Sequence, residues 1–235
     1  MRKSTILIAT RNRAPQLQAG LKSIQRRHYP DVDVLVVDDG STDTTPQVLS
    51  EFEGMIHLAK VDDRNEGYRR NPSYVLNMGH AIADTDIVIE QGGEVCHLTD
   101  CVTPLLEVCQ PGTVALARVH HGEPQDMARV IRNIENGDYG FPANYIPENY
   151  RTCGDDWTVP KVGNSQTYLY CGMERPVPFL FLGAIHRVDF EAVGGYDENR
   201  ERGNDEDLAN RLLARGVRFC FVGSSVAFHL KHGKS

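Results

Sequence analysis

The run Val32-Asp33-Val34-Leu35-Val36-Val37 is almost unbroken in apolar, β-branched character, and it stops abruptly at Asp38-Asp39-Gly40-Ser41-Thr42-Asp43. A strand of that kind is buried on both faces, which needs helices on both sides of the sheet and parallel neighbours joined by crossovers. The flanking sequence supplies both. Ser4 to Ala9 (STILIA) reads as a first strand, and Ala14 to Arg27 carries Leu17, Leu21 and Ile24 at helical spacing. Pro15 sits in the first turn of that helix, where its missing amide hydrogen is no loss. The polar block after Val37 caps a second helix, Thr45 to Phe52. Ile56 to Val61 predicts a third strand, Asn71 to Ala83 a third helix, and Asp86 to Glu90 a fourth strand that ends at Gln91-Gly92-Gly93-Glu94.

This alternation predicts an α/β fold, doubly wound about a mainly parallel sheet, with its ligand beyond the carboxyl ends of the strands. Thr10 to Arg13, Asp38 to Asp43 and Gln91 to Glu94 all follow strands, so these loops converge on one face. From about residue 120 to 177 the pattern degrades into Gly, Pro, Asn and Tyr, with Met127 to Ile134 the clear helical stretch. A long irregular region of this sort reads as a functional loop rather than a second core. Regularity returns with a strand at Phe179 to His186 and a short apolar-periodic stretch at Asp189 to Val193. An amphipathic helix from about Asp205 to Arg215, closed by Gly216, and a last strand at Val217 to Val222 follow. Val226 to His232 forms a basic tail with two histidines. No repeat or linker divides the chain, so a single domain over 1–235 is expected, with a variable second half from about 101.

Composition narrows the function. With 235 residues, 40% of them hydrophobic, the chain can bury a substantial core. Its 25 Lys and Arg against 32 Asp and Glu give a net charge of −7, without the basic footprint of a protein that grips nucleic acid by its phosphates. No apolar run approaches the roughly 18 to 20 residues that cross a bilayer, and the short apolar run near the N-terminus reads as a strand, not a signal peptide. The six cysteines form no CxxC pair and read as free thiols in a reducing cytoplasm.

The Asp38 to Asp43 block is the most specific local signal. Strand-end carboxylates accept hydrogen bonds from a nucleobase imide and from ribose hydroxyls, although the same residues also serve as a helix cap. Arg70, beside Arg69, offers the fixed fork of donors that a diphosphate needs, or else a solvated basic face. Asp205, Glu206 and Asp207 open the helix that contains Arg211, where they complement the helix dipole whatever else they do.

Taken in order, Thr10-Arg11-Asn12-Arg13, VVDDGSTD, Asn65-x-Gly67 with Arg70-Asn71, and Gly194-Gly195-Tyr196-Asp197-Glu198 followed by the acidic cluster and Arg211 resemble a family 2 glycosyltransferase of the GT-A fold. The likeness spans nearly the whole chain. It implies a single Rossmann-like domain whose half at about 1–100 binds a nucleoside diphosphate sugar, most often a UDP-sugar. The half at about 101–235, including the irregular segment 120–177, would bind a carbohydrate or other hydroxyl acceptor. By this resemblance Asp39, with Asp38 its close competitor, meets the uracil. Thr10 and Arg13 line the base and ribose pocket, Arg70 approaches the diphosphate, and Arg11, Asn65 and Gly67 belong to the same nucleotide-binding set. An acidic residue at Asp205, with Glu206 the alternative, takes the acceptor's proton as general base in an inverting transfer. Gly195, Tyr196 and Asp197 form an acceptor-side turn, and Trp157, the lone tryptophan, offers a stacking face for a sugar or an ordinary packing element.

One position departs from the family. The usual Asp-x-Asp after the fourth strand is replaced by Glu90-Gln91-Gly92-Gly93-Glu94, so Gln91 stands where the first carboxylate belongs, able to bond a ribose hydroxyl. Glu94 is the nearest hard oxygen ligand for a divalent Mn²⁺ or Mg²⁺, and the resemblance implies His229 as a further ligand. Loss of metal at this altered site would leave a noncatalytic nucleotide-sugar binding protein. A nucleotidyltransferase is the other alternative, although Ala9 to Arg13 lacks the glycines of its usual loop.

Overall fold

The computed structural model describes residues 4–61, 71–121, 131–133, 136, 157–158, 180–200 and 202–230. Strands β1 (Ser4–Thr10), β2 (Val32–Asp38), β3 (His57–Lys60) and β4 (Ile87–Gly92) alternate with helices α1 (Ala14–Arg27), α2 (Thr45–Glu51) and α3 (Pro72–Ile82). β1 lies between β2 and β4, parallel to both, and β3 extends the sheet beyond β2. The predicted first half is thus present in order.

Period-2 alternation sorts β1 between two layers. Ile6 and Ile8 pack on the side of Leu17, Leu21, Ile24, Val48 and Leu49 from α1 and α2. Leu7 packs on the opposite side with Val37, Val75 and Val88. Burial of each such side chain contributes about 1.5–3 kcal/mol. Helix α3 rides close over β1 at Gly79, where an added Cβ would stand 2.2 Å from a Leu7 methyl, so only glycine permits this approach.

The second half holds elements that periodicity did not reveal. β5 (Val95–His97), α4 (Val102–Val108) and β6 (Thr113–His121) follow β4 directly. After the two-residue β7 (Trp157–Thr158) come β8 (Leu182–His186), α5 (Arg187–Ala192), α6 (Asn204–Ala214) and β9 (Arg218–His229). Among the described residues the sheet has nine strands and runs β3-β2-β1-β4-β8-β6-β9-β5, with β7 on β9. β8 is antiparallel to both β4 and β6, while β6 and β9 are parallel.

The segments expected at 217–222 and from 226 onward join in one strand that runs to His229. The β6–β9 register jumps from Ala117↔Val222 to Arg118↔Val226, a bulge that carries the chain past Gly223 to Ser225. Ser225 Oγ donates to the Cys101 carbonyl at 2.9 Å and Thr99 Oγ1 to the Ser224 carbonyl at 2.7 Å, which pins the bulge to the start of α4. The helix expected at Met127 to Ile134 falls largely outside the described residues. Cys96, Cys101, Cys109 and Cys220 are free thiols, as expected, while Cys153 and Cys171 lie outside the described residues. No helix among the described residues is long and apolar enough to cross a membrane.

Candidate functional site

The carboxyl ends of β1, β2 and β4 lie side by side, and the first two loops are laced together. Asn12 adopts a left-handed φ of 49°, and its Oδ1 accepts from the Thr42 amide at 2.8 Å and the Asp43 amide at 3.3 Å. In return Ser41 Oγ accepts from the Asn12 amide at 2.9 Å and Thr45 Oγ1 from the Arg13 amide at 3.2 Å. Asp43 accepts from the amides of Ala14 at 3.4 Å and Thr45 at 2.9 Å. Burial alone would raise its carboxyl, but these hydrogen bonds outweigh it and hold Asp43 below the ordinary value.

The two candidate base-reading aspartates differ. Asp38 Oδ1 accepts from both the amide and the hydroxyl of Ser41, at 3.1 and 2.5 Å, so its carboxylate is committed to the turn. Asp39 follows at the strand end, where its backbone amide donates to the Thr10 carbonyl at 2.9 Å. Thr10 Oγ1 and Arg11 Nε are buried with no hydrogen-bond partner among the described residues. Gly93 lies against Thr10, and an added Cβ there would stand 3.1 Å from Oγ1. Arg13 turns its guanidinium back to the Asn12 carbonyl at 3.1 Å. Asn65, Gly67 and Arg70 lie outside the described residues.

Gln91 does not face a ligand. Strand alternation puts it with Ile87 and Ile89 on the α1 side, where Nε2 donates to the Val95 carbonyl at 3.0 Å and Oε1 pairs with His97 Nε2 at 2.8 Å. His97 contacts the Tyr29 hydroxyl through Nδ1 at 3.0 Å, and burial together with Arg27 pushes this imidazole down to about 3. Gln91 therefore belongs to a neutral, internal hydrogen-bond chain, which corrects the expectation that it bonds a ribose.

Glu94 and His229, 135 residues apart, do meet. The β5–β9 ladder pairs Val95 with His229, and Glu94 Oε1 stands 3.2 Å from His229 Nε2. The Phe181 and His229 rings pack edge to face with centroids 5.2 Å apart. A carboxylate oxygen beside an imidazole nitrogen at the strand edge suits a borderline divalent ion. No group of three such side chains exists among the described residues, so diphosphate oxygens and water would have to complete the coordination.

Sequence reasoning missed the cluster on the other face of β4. Glu90 is 2% exposed; its Oε1 lies 2.7 Å from His80 Nε2 of α3, and its Oε2 accepts from the Tyr196 hydroxyl at 2.6 Å. Tyr196 Oη also lies 3.5 Å from Asp205 Oδ1 at the start of α6. Burial, reinforced by the Glu90 charge, pushes the Asp205 carboxyl up to about 6 and the Tyr196 phenol well above its ordinary value. The signal available in the sequence was a glutamate inside the apolar run DIVIE, since a carboxylate on a buried strand needs partners.

The Gly194-Gly195-Tyr196-Asp197 turn therefore supports Asp205 instead of presenting Tyr196 to an acceptor. Asn77 of α3 grips the turn, its Oδ1 accepting from the Tyr196 amide and its Nδ2 donating to the Tyr196 carbonyl, both at 2.9 Å. Gly195 has φ 68° and leaves only 2.7 Å between a would-be Cβ and Asn77 Oδ1, so position 195 excludes any side chain. Asp197 is exposed and accepts from the Asn199 amide at 2.9 Å. In the acidic cluster Glu206 is exposed, and Asp207 is bound by Arg211 at 2.7 Å and Arg200 at 3.3 Å, leaving Asp205 as the carboxylate aimed at the buried cluster. Trp157 contributes backbone pairing to Phe221, and its indole lies outside the described part. A cavity of about 750 Å³ at the opposite, N-terminal end of the strands, lined by Ser4, Val32 and Ile87, contains none of these residues.

A sheet with its polar loops at one strand edge, an antiparallel strand inserted beside β4, and a carboxylate helix above that strand defines a GT-A fold. Residues 5–159 match the model described as glycosyl transferase family 2, and the chain belongs to that family. It is similar to validoxylamine A glucosyltransferase of Streptomyces hygroscopicus subsp. jinggangensis (strain 5008), 27% identical over 98% of this chain, which spans 56% of that protein. Among solved structures, a mannosyltransferase of Pyrobaculum calidifontis in complex with GDP-Man and Mn²⁺ superposes with a TM-score of 0.62 at 21% identity, over 97% of this chain and 56% of that one. GalNAc-T7 with UDP, GalNAc and Mn²⁺ superposes with a TM-score of 0.64 at 12% identity, over 99% of this chain and 44% of that one.

Proposed function

We propose that this protein transfers a sugar from a nucleoside diphosphate donor, a UDP-sugar by preference, to an acceptor hydroxyl with inversion at the anomeric carbon. The observation that carries the reading is the shared strand edge. The carboxyl ends of the parallel strands carry a laced carboxylate loop suited to a nucleoside and the Glu94–His229 pair, and Glu90 of β4 is joined through Tyr196 to Asp205, whose carboxyl is pushed up to about 6. The similar structures bind GDP-Man or UDP with Mn²⁺, which supports a nucleotide donor and a divalent ion without choosing the base.

In this reading Asp39 accepts the imide N–H of uracil, Thr10, Arg11 and Arg13 line the base and ribose, and Arg70, after Asn65 and Gly67, meets the diphosphate. Glu94 and His229 hold the divalent ion, which when bound offsets the charge that builds on the departing diphosphate. Asp205 accepts the proton of the acceptor hydroxyl while that oxygen bonds to the anomeric carbon. The bond from that carbon to the diphosphate breaks, and the nucleoside diphosphate leaves with its electron pair. Glu206, exposed and without the buried partners, is the weaker candidate for this role. The acceptor is a carbohydrate or another hydroxyl compound.

The test is a thermal-shift panel of UDP, GDP, ADP and their sugars with Mn²⁺ or EDTA, followed by assay of UDP release with the donor that binds. A ligand specific to the native state raises its apparent stability. Binding with no release in the presence of any hydroxyl acceptor would point to the noncatalytic alternative, and release of pyrophosphate to a nucleotidyltransferase.

A further inference from the structure

The wiring of the buried cluster goes beyond the choice of base and rests on that choice. Four side chains from four separate elements line up in it: His80 of α3, Glu90 of β4, Tyr196 of the turn after α5, and Asp205 of α6. His80 is 7% exposed and lies parallel to Phe190 with ring centroids 3.6 Å apart, so its plane is fixed. Its Nε2 donates to Glu90 Oε1, which leaves Glu90 Oε2 for the Tyr196 hydroxyl.

A phenol carries one hydrogen. The 2.6 Å contact to Glu90 claims it over the 3.5 Å contact to Asp205, because a short hydrogen bond to a buried carboxylate is the stronger one. Tyr196 therefore turns its lone pairs toward Asp205. While Asp205 is ionised, that contact is oxygen to oxygen and weak. Once Asp205 is protonated, its new O–H has an acceptor already in place.

We propose that Tyr196 and Glu90 are positioning residues for Asp205: Glu90 fixes the Tyr196 hydroxyl so that the phenol oxygen receives a hydrogen bond from protonated Asp205, favouring the form of the base that exists after proton transfer. The acceptor's O–H bond breaks as the Asp205 O–H bond forms, and the acceptor's electron pair goes to the anomeric carbon. The Tyr196 and Glu90 protonation states do not change. Asp205 returns its proton to solvent after the product leaves.

Among the described residues Glu90 and, behind it, His80 face Asp205 from the sheet side, and Tyr196 from the turn. Glu206, which is exposed, and Asp207, which Arg200 and Arg211 neutralise, sit on its own helix. Burial first and the Glu90 charge second favour protonation, while a hydrogen bond donated by Tyr196 would act the other way, so the hold of Glu90 on the phenol hydrogen decides the sign at Tyr196.

The experiment is a carboxyl ¹³C NMR titration of the full chain labelled at aspartate, with the Asp205 resonance identified by its loss in Asp205→Asn. The native protein should show a midpoint near 6. Tyr196→Phe, which keeps the ring, and Glu90→Gln, which keeps the shape, should each move that midpoint down by about one on the pH scale. Circular dichroism checks that each variant is folded, and a residue that only packs would leave the midpoint in place. A native midpoint near the ordinary aspartate value, or unmoved midpoints in both folded variants, would overturn the proposal. Failure of the base assignment has a separate signature, which is undiminished UDP release by Asp205→Asn whatever the titration shows.

Discussion

The loops after β1 and β2 hold their carboxylates with backbone amides and hydroxyls, whereas the cluster at β4 holds its carboxylates close to one another and out of water. In the first region Asp38 and Asp43 accept from Ser41, Thr45 and Ala14, so the charges are stabilised before any ligand arrives. In the second, Glu90 and Asp205 flank Tyr196, and burial, with repulsion from Glu90 behind it, raises Asp205 instead of stabilising its charge. The difference suits the two tasks proposed for these regions. A binding loop needs fixed acceptors whose charge does not change, and a base needs a carboxylate that gains a proton readily near neutral pH.

The largest test of that contrast is Asp205→Asn. The amide keeps the shape and cannot take a proton, so UDP release should fall by about 10² to 10⁴, while UDP affinity by calorimetry stays close to native. On the binding side, Asp39→Ala should weaken UDP by about 1.5–3 kcal/mol, the range for a hydrogen bond to a charged group. Asp38→Ala should instead lower the melting temperature, because Asp38 builds the Ser41 turn. If both substitutions cost the same in affinity and stability, the division between a ligand carboxylate and a turn carboxylate is wrong.

A smaller effect is expected at the Glu94–His229 pair. Mn²⁺ should tighten UDP binding by about tenfold, or about 1.4 kcal/mol, and Glu94→Gln should remove that dependence while metal-free binding persists. Affinity indifferent to EDTA in the native protein would leave the diphosphate to Arg70 and its neighbours.

The contrast also explains what the sequence revealed and what it hid. The first half was readable through β4 because each strand and helix carries its own period and its own cap, and Asp38 to Asp43 announces itself after a buried strand. β5 has three residues and α4 has seven with Pro104 inside, too little for a periodic signal. In β6, Thr113–Ala117 is buried along its whole length, so alternation did not mark it. Gln91 was misplaced by analogy with the family motif, although counting by twos from Ile87 already assigns it to the α1 face. The Glu90 cluster had no local signature, since residues 80, 90, 196 and 205 meet only through packing of α3, β4, the α5 turn and α6. Asp205 itself was legible only because its helix resembles one in a known family.

The last and smallest effect concerns stability. In the folded protein Asp205 titrates near 6 against an ordinary 3.8, so between those values the native state binds more protons than the unfolded chain. Stability then falls as pH rises through that window, since its slope with pH follows the protons bound by the unfolded state less those bound by the native state. Any stabilisation from this group is complete below 3.8, and above 6 the ionised carboxylate is carried at a cost. Each tenfold change in proton affinity between the two states corresponds to about 1.4 kcal/mol, and the solvent that reaches this half-buried group reduces the total to about 1 kcal/mol. Asp205→Asn has no charge to carry, so it should unfold at higher urea than the native protein at pH 7.5 by that amount, and the advantage should vanish near pH 4. The comparison of two proteins at two pH values cancels every other titrating group. A variant less stable than native at both would mean that the Asp205 carboxylate, like those in the Asp38 loop, is stabilised by the fold, and the contrast between the two regions would be lost.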